Sequence, residues 1–215
     1  EIIKLVTEVD FKVIEWGGDV HVPHGDTQQA EKVARWTGDA GLSVAAYGSY
    51  YRLATPDQPA FESIIETAVA LGAPTIRVWA GKMGSAEADE SYLQQVYDEA
   101  YQIAEMAKEH KLSISFEFHD GTLTDTTLSA IQLMEAVQHE NLGMYWQPPH
   151  RLSQEERTAS LVRILPYLTN MHVFQWHRNH PNPRTRYALQ EGGPEWRIFL
   201  DHLKKADGNH AGMLE

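Results

Sequence analysis

The chain has 215 residues, a net charge of −12, 42% hydrophobic and 22% charged residues, and no cysteine. That length can bury one good core, so one domain spanning residues 1–215 is expected. The negative charge argues against a nucleic-acid backbone as the main partner, the missing cysteines exclude disulfides, cysteine-zinc sites and thiol nucleophiles, and no apolar run approaches the roughly 18 residues of a membrane span.

The chain opens at Glu1 in what reads as a helix under way, with Ile2, Ile3, Leu5, Val6 and Val9 on one face, so a further N-terminal segment is expected. Phe11 to Trp16 reads as a strand, broken by Gly17-Gly18, and a loop with His21 and His24 follows. Asp26 or Thr27 is the expected N-cap of a helix that Gly41 stops. Leu42 to Tyr47 is the next strand, with Gly48 as its expected end. Pro56 to Leu71 reads as a helix with Phe61, Ile64, Ile65, Ala68 and Leu71 inward. Thr75 to Trp79 is a strand and Gly81 to Gly84 its exit loop.

The strongest helical stripe is Leu93, Val96, Tyr97, Ala100, Ile103, Ala104 and Ala107. It leads into Leu112 to Asp120, where Leu112, Ile114, Phe116 and Phe118 alternate with small and polar residues at the period of a strand. Glu117 and His119 stand at its exit and, two apart, share a face. Thr124 or Asp125 should cap the next helix, with Leu128, Ile131, Met134 and Val137 inward. Leu142 to Trp146 is a strand ended by Gln147-Pro148-Pro149-His150. Ser153 with Glu156 has capping-box spacing, for a helix with Leu161, Ile164 and Leu165 inward. Asn170 to Trp176 reads as a strand, His177 to Gly193 as a polar loop, Glu195 to Lys205 as a helix, and Ala211 to Glu215 as a last strand.

Strand and helix alternate about seven times, one unit per roughly 30–40 residues, which points to parallel strands with crossover helices. A (β/α)8 TIM barrel lacking its first strand in this chain is the expected fold, since such barrels use about 250 residues. The alternative is a doubly wound open sheet, but no G-x-G-x-x-G follows a strand and no Walker A sequence occurs.

In a barrel, chemistry belongs where strands end. Those positions hold Trp16, Tyr47 or Tyr50, Trp79, Glu117 and His119, Gln147 and His150, His172 and Trp176, and Glu215. Polar ligand types and aromatics would then form a small polar centre within an aromatic wall. Each residue also has an ordinary reading. Glu117 could be a solvated charge, His172 a satisfied core histidine, Trp16 and Trp79 packing residues, and Gln147-Pro148-Pro149 a rigid turn.

Taken together, Phe116 to Asp125, Asn141 to His150, Met171-His172-Val173 and Leu214-Glu215 resemble the xylose isomerase-like TIM barrels, a family of sugar isomerases, epimerases, dehydratases and endonuclease IV. The resemblance covers nearly the whole chain. It implies a sugar or sugar-phosphate isomerase or epimerase, with a dehydratase or a non-catalytic barrel as alternatives. The charge of −12 argues against the endonuclease reading.

It further implies one divalent ion, manganese or magnesium with zinc or cobalt as alternatives, held by Glu117, Gln147, His172 and Glu215. Gln147 stands where the family has Asp, so three protein anions become two and affinity should fall. Glu117 and Glu215 would move the proton through an enediolate. His150, Arg178 and His119 would bind substrate, and Trp16, Trp79 and Trp176 could stack on it. Arg178, Arg184 and Arg186 with His177 and His180 could meet a phosphate or carboxylate. A small-molecule sugar or polyol is the implied partner, without nucleic acid or membrane. A cytoplasmic location is expected, and a homo-oligomer stays open.

Overall fold

The computed structural model describes residues 1–176, 181–182 and 185–215. Seven parallel strands lie in chain order in one sheet: β1 (Val13–Gly17), β2 (Ser43–Arg52), β3 (Thr75–Trp79), β4 (Ser113–Glu117), β5 (Leu142–Trp146), β6 (Leu168–Val173) and β9 (Gly212–Leu214). Between them run α1 (Ile2–Glu8), α2 (Thr27–Asp39), α3 (Phe61–Leu71), α4 (Glu90–Glu109), α5 (Thr127–Val137), α6 (Gln154–Ile164) and α7 (Gly193–Leu203). Every strand pairs only with its neighbours in this order, and β9 curls round to approach β1. The result is a nearly closed barrel one strand short of eight. A doubly wound sheet would reverse its strand order partway, and this one does not. A separate antiparallel pair, β7 (Gln175–Trp176) with β8 (Arg186–Tyr187), stands beyond β6.

The barrel explains how its strands read. Ile114, Ser115, Phe116 and Glu117 are all buried, because one face of β4 meets helices and the other meets the barrel interior. The alternation in this stretch therefore separates outside from inside rather than core from solvent. The interior at mid-height is partly hydroxylic: Ser115 Oγ lies 3.0 Å from Thr75 Oγ1 and donates to Thr169 Oγ1 at 2.9 Å.

Several boundaries differ from expectation. β2 does not stop at Gly48 but runs on to Arg52, because Gly48 is required inside the strand. A Cβ there would stand 2.7 Å from an Arg77 nitrogen and 2.8 Å from Glu15 Oε1. α3 starts at Phe61 rather than Pro56, since turns occupy much of the intervening stretch. The cap of α5 is Thr126, whose hydroxyl accepts from Ser129 N in a capping box. Thr124 and Asp125 have other work: Thr124 Oγ1 donates to Glu117 O at 2.5 Å, and Asp125 Oδ2 accepts from Ser85 N at 3.0 Å. Ala130, Leu133, Met134 and Val137 face inward and Ile131 packs partly buried against the core, while Leu128, expected inward, is exposed in the first turn. Capping at Asp26 and at Ser153 with Glu156 is as expected.

Candidate active site

The side chains at the C-terminal rim converge on His172, on β6. Its Nδ1 lies 3.0 Å from Gln147 Oε1, 3.4 Å from Glu215 Oε2 and 3.6 Å from Glu117 Oε1. These four residues come from the ends of β5, β9, β4 and from β6 itself, so strand packing sets their spacing. Burial pushes the His172 imidazole down to about 3, helped by the charges of Arg77, Arg186 and His119. It is therefore neutral near pH 7, as a metal ligand must be.

Glu117 is 4% exposed. Its Oε2 pairs with Arg77 Nη1 and accepts from Trp79 Nε1 at 2.5 Å, while Oε1 faces His172. Burial raises the Glu117 pKa, opposed by Arg77 and by the Trp79 hydrogen bond. Arg77 is held as a cation between two carboxylates, since its Nε also donates to Glu15 Oε1 at 2.9 Å. Among the described residues, Glu15 Oε2 is buried without a hydrogen-bond partner, and burial, followed by the nearby Glu15 carboxylate, raises the pKa of the Tyr145 phenol. Tyr50 covers Arg77, with the guanidinium carbon 5.1 Å from the ring centre.

Gln147 is fixed at both ends of its amide. Nε2 donates to Phe118 O at 2.5 Å, which turns Oε1 toward His172. Glu215 is held by Arg186, through a 3.3 Å ion pair to Oε1 and a 2.9 Å hydrogen bond to its backbone oxygen. Arg186 in turn lies 4.3 Å over the Phe174 ring.

The other expected residues fall into two groups. His119 packs on Trp79 with ring centres 4.8 Å apart, and His150 packs on Trp176 at 5.6 Å, with its Nδ1 3.7 Å from Asp120 Oδ2. Both pairs stand at the mouth. Trp16 is tied into the wall, its Nε1 donating to Thr37 Oγ1 of α2 at 3.1 Å. Arg178, with His177, His180 and Arg184, lies outside the described residues. Sequence reading passed over Glu15, Arg77 and Arg52. A charge in the middle of an apolar strand run, as Arg77 is, is seldom buried unless paired, but its partners Glu15 and Glu117 come from other strands and do not stand near it in the sequence.

Two cavities meet here. One of about 150 Å³ is lined by His119, Gln147, His150, Trp176, Arg186 and Glu215. The other, about 650 Å³, reaches Glu117, His172 and Arg77 and extends along the open side of the barrel toward α1. They share His119 and Glu215. Among the described residues, no three His, Asp or Glu side chains already stand as a metal cage. The convergence is on the His172 nitrogen, and one of its oxygens is an amide.

A family model described as xylose isomerase-like TIM barrel matches residues 3–213. A curated relative, the 3-dehydroshikimate dehydratase of Bacillus anthracis, is 28% identical over 184 residues, covering 80% of this chain. The match covers 64% of that relative's length. Among solved structures, a probable 3-DHS dehydratase from Bacillus anthracis superposes with a TM-score of 0.80 at 20% identity, over 99% of this chain and 85% of that one. A xylose isomerase-like TIM barrel protein from Mycobacterium smegmatis in complex with magnesium gives 0.72 at 15%, over 98% and 79%. A D-psicose 3-epimerase determined with D-fructose gives 0.72 at 14%, over 100% and 78%.

Proposed function

The chain belongs to the xylose isomerase-like TIM barrel family, and from that premise we propose that it is a divalent-metal-dependent enzyme moving a proton beside the carbonyl of a small hydroxylated substrate. Isomerisation or epimerisation is the first reading. The observation that carries it is the set of three oxygens from three strand ends within 3.0–3.6 Å of a neutral imidazole nitrogen.

That donor set fits a cation. Bonds of about 2.1 Å leave neighbouring ligand atoms roughly 3.0–3.4 Å apart, near the separations found here. Glu117, Gln147, His172 and Glu215 would hold the ion, and magnesium or manganese suits three oxygens and one nitrogen. When bound, such an ion polarises a substrate carbonyl and acidifies the neighbouring C–H.

The chain's own residues do the rest. Arg77 and Trp79 fix Oε2 of Glu117, so that carboxylate stays oriented as it takes or returns a proton. Arg186 fixes Glu215 in the same way for the opposite face. His150, braced by Asp120, and His119 orient substrate oxygens. Arg178 keeps the substrate-binding role that the resemblance gives it. Trp176 and Trp79 line the mouth and exclude water.

The test is turnover of a panel of ketoses, inososes and keto-acids after metal stripping and return of Mn²⁺ or Mg²⁺, with exchange of substrate hydrogen into D₂O as readout. Metal-dependent exchange is expected, and Glu117→Gln should lower it by about 10²–10⁴-fold with the circular dichroism of the folded barrel retained, although loss of the charge paired with Arg77 lowers the thermal melt. Near-normal exchange in Glu117→Gln rejects Glu117 as the base. No metal-dependent reaction across the panel leaves a non-catalytic barrel. The second reading, dehydration at the same site, is favoured by the 28% identical relative. Product analysis separates them, since a dehydratase releases water and leaves a new double bond.

A further inference from the structure

We propose that Glu15 is a positioning residue of the metal site, acting through Arg77: it takes up the charge of that arginine and so leaves Glu117 to the ion. The inference rests on the reading of Glu117, Gln147, His172 and Glu215 as ligands.

The charges come from three strands, Glu15 from β1, Arg77 from β3 and Glu117 from the end of β4. β2 separates the first two, and they meet across Gly48, where a Cβ would stand 2.8 Å from Glu15 Oε1 and 2.7 Å from an Arg77 nitrogen. Arg77 Nε donates to Glu15 Oε1 at 2.9 Å, and its Nη1 pairs with Glu117 Oε2. The Arg77 and Glu117 side chains are 6% and 5% exposed and that of Glu15 is 13% exposed, so salt and water screen these charges little. All three line the cavity of about 650 Å³ that reaches His172.

Counting charge shows what Glu15 adds. Each carboxylate among the proposed ligands already has an arginine, Arg77 for Glu117 and Arg186 for Glu215. Those four side chains together offer a dication no net charge, and Gln147 and the neutral His172 add none. Glu15 brings a further negative charge to Arg77. Without it, Arg77 would face Glu117 as a whole unmatched cation, and it would repel an ion held by that same carboxylate. Among the described residues, Glu15 Oε2 is buried with no hydrogen-bond partner, so the carboxylate is held there at a cost to stability. That cost fits a group kept for its charge. Its surroundings reach a second ligand as well, since the neighbouring Tyr145 ring packs edge-on against His172 at 5.2 Å.

The test is Mn²⁺ calorimetry on the whole chain, with circular dichroism and a thermal melt of each variant. Glu15→Gln keeps the shape and an acceptor for Arg77 Nε but removes the charge. It should weaken Mn²⁺ binding by about 10–100-fold. Adding Arg77→Gln to it removes the unmatched cation, and affinity should return to within about threefold of the unsubstituted chain. A merely structural role would lower the melt of Glu15→Gln and leave its Mn²⁺ affinity unchanged, which overturns the inference. A double variant that binds as weakly as Glu15→Gln also overturns it, because the charge of Arg77 would then not be the cause. If Glu15→Gln does not fold, the double variant decides alone: affinity within about threefold supports the inference, and a loss of about tenfold or more overturns it. An unsubstituted chain that takes up no Mn²⁺ overturns the metal-site reading and this inference together.

Discussion

Gln147 shows how one residue sets the strength of the proposed metal site. Its amide is used in both senses, donating to Phe118 O and presenting Oε1 to His172. A carboxylate of the same length would gain a third anion for the cation and lose the donor. Gln147→Glu should therefore bind Mn²⁺ at least about tenfold more tightly by calorimetry. In EDTA the same variant should unfold in urea with about 1–3 kcal/mol less stability, because a carboxylate oxygen would face the Phe118 carbonyl. Unchanged Mn²⁺ affinity would show that Oε1 is not a ligand. The residues converging on His172 were legible because three of them follow directly on strand patterns, where barrel chemistry sits. Arg77 was not, since Thr75-Ile76-Arg77-Val78-Trp79 reads as an ordinary strand until Glu15 and Glu117 are seen beside it.

At the scale of the element, β2 carries the clearest difference between pattern and structure. Gly48 reads as a terminator when only local propensity is considered. In the barrel it is the gap that admits the Arg77–Glu15 pair, and the strand continues beyond it to deliver Tyr50 and Arg52 to the rim. A methyl group at this point must displace a buried ion pair. Gly48→Ala should thus cost roughly 2–4 kcal/mol in urea denaturation, well above a typical surface change. A cost under about 0.5 kcal/mol would mean that the pair moves aside freely. The same contrast explains α5. Thr124 and Asp125 were sensible caps by residue type, but the loop uses them to fix Glu117 and Ser85, and the role passes to Thr126. Helix periodicity and strand existence were readable because they depend on near neighbours in the chain. Boundaries that depend on contacts across the barrel were not.

For the whole molecule, the site joins its most and least supported strands. β4 lies in the middle of the sheet, paired on both sides, and carries Glu117. β9 is three residues long, pairs with β6 alone, and leads to Glu215. Its backbone hydrogen bonds should open at lower free energy than those of β3 and β4. A cation gripping Glu117, His172 and Glu215 together would tie this edge to the centre of the sheet. Ligand at 100 times its dissociation constant stabilises the bound form by about 2.7 kcal/mol, or close to 100-fold in opening. Amide hydrogen exchange should then slow by about 10–100-fold across Gly212–Leu214 when Mn²⁺ is added, while Thr75–Trp79 changes little, because its opening already requires breaking two ladders. The effect should vanish in Glu215→Gln if that carboxylate supplies the link. Slowing spread evenly over all strands would instead mean that the ion stabilises the barrel without bridging its edge, and Glu215 would lose its place among the ligands.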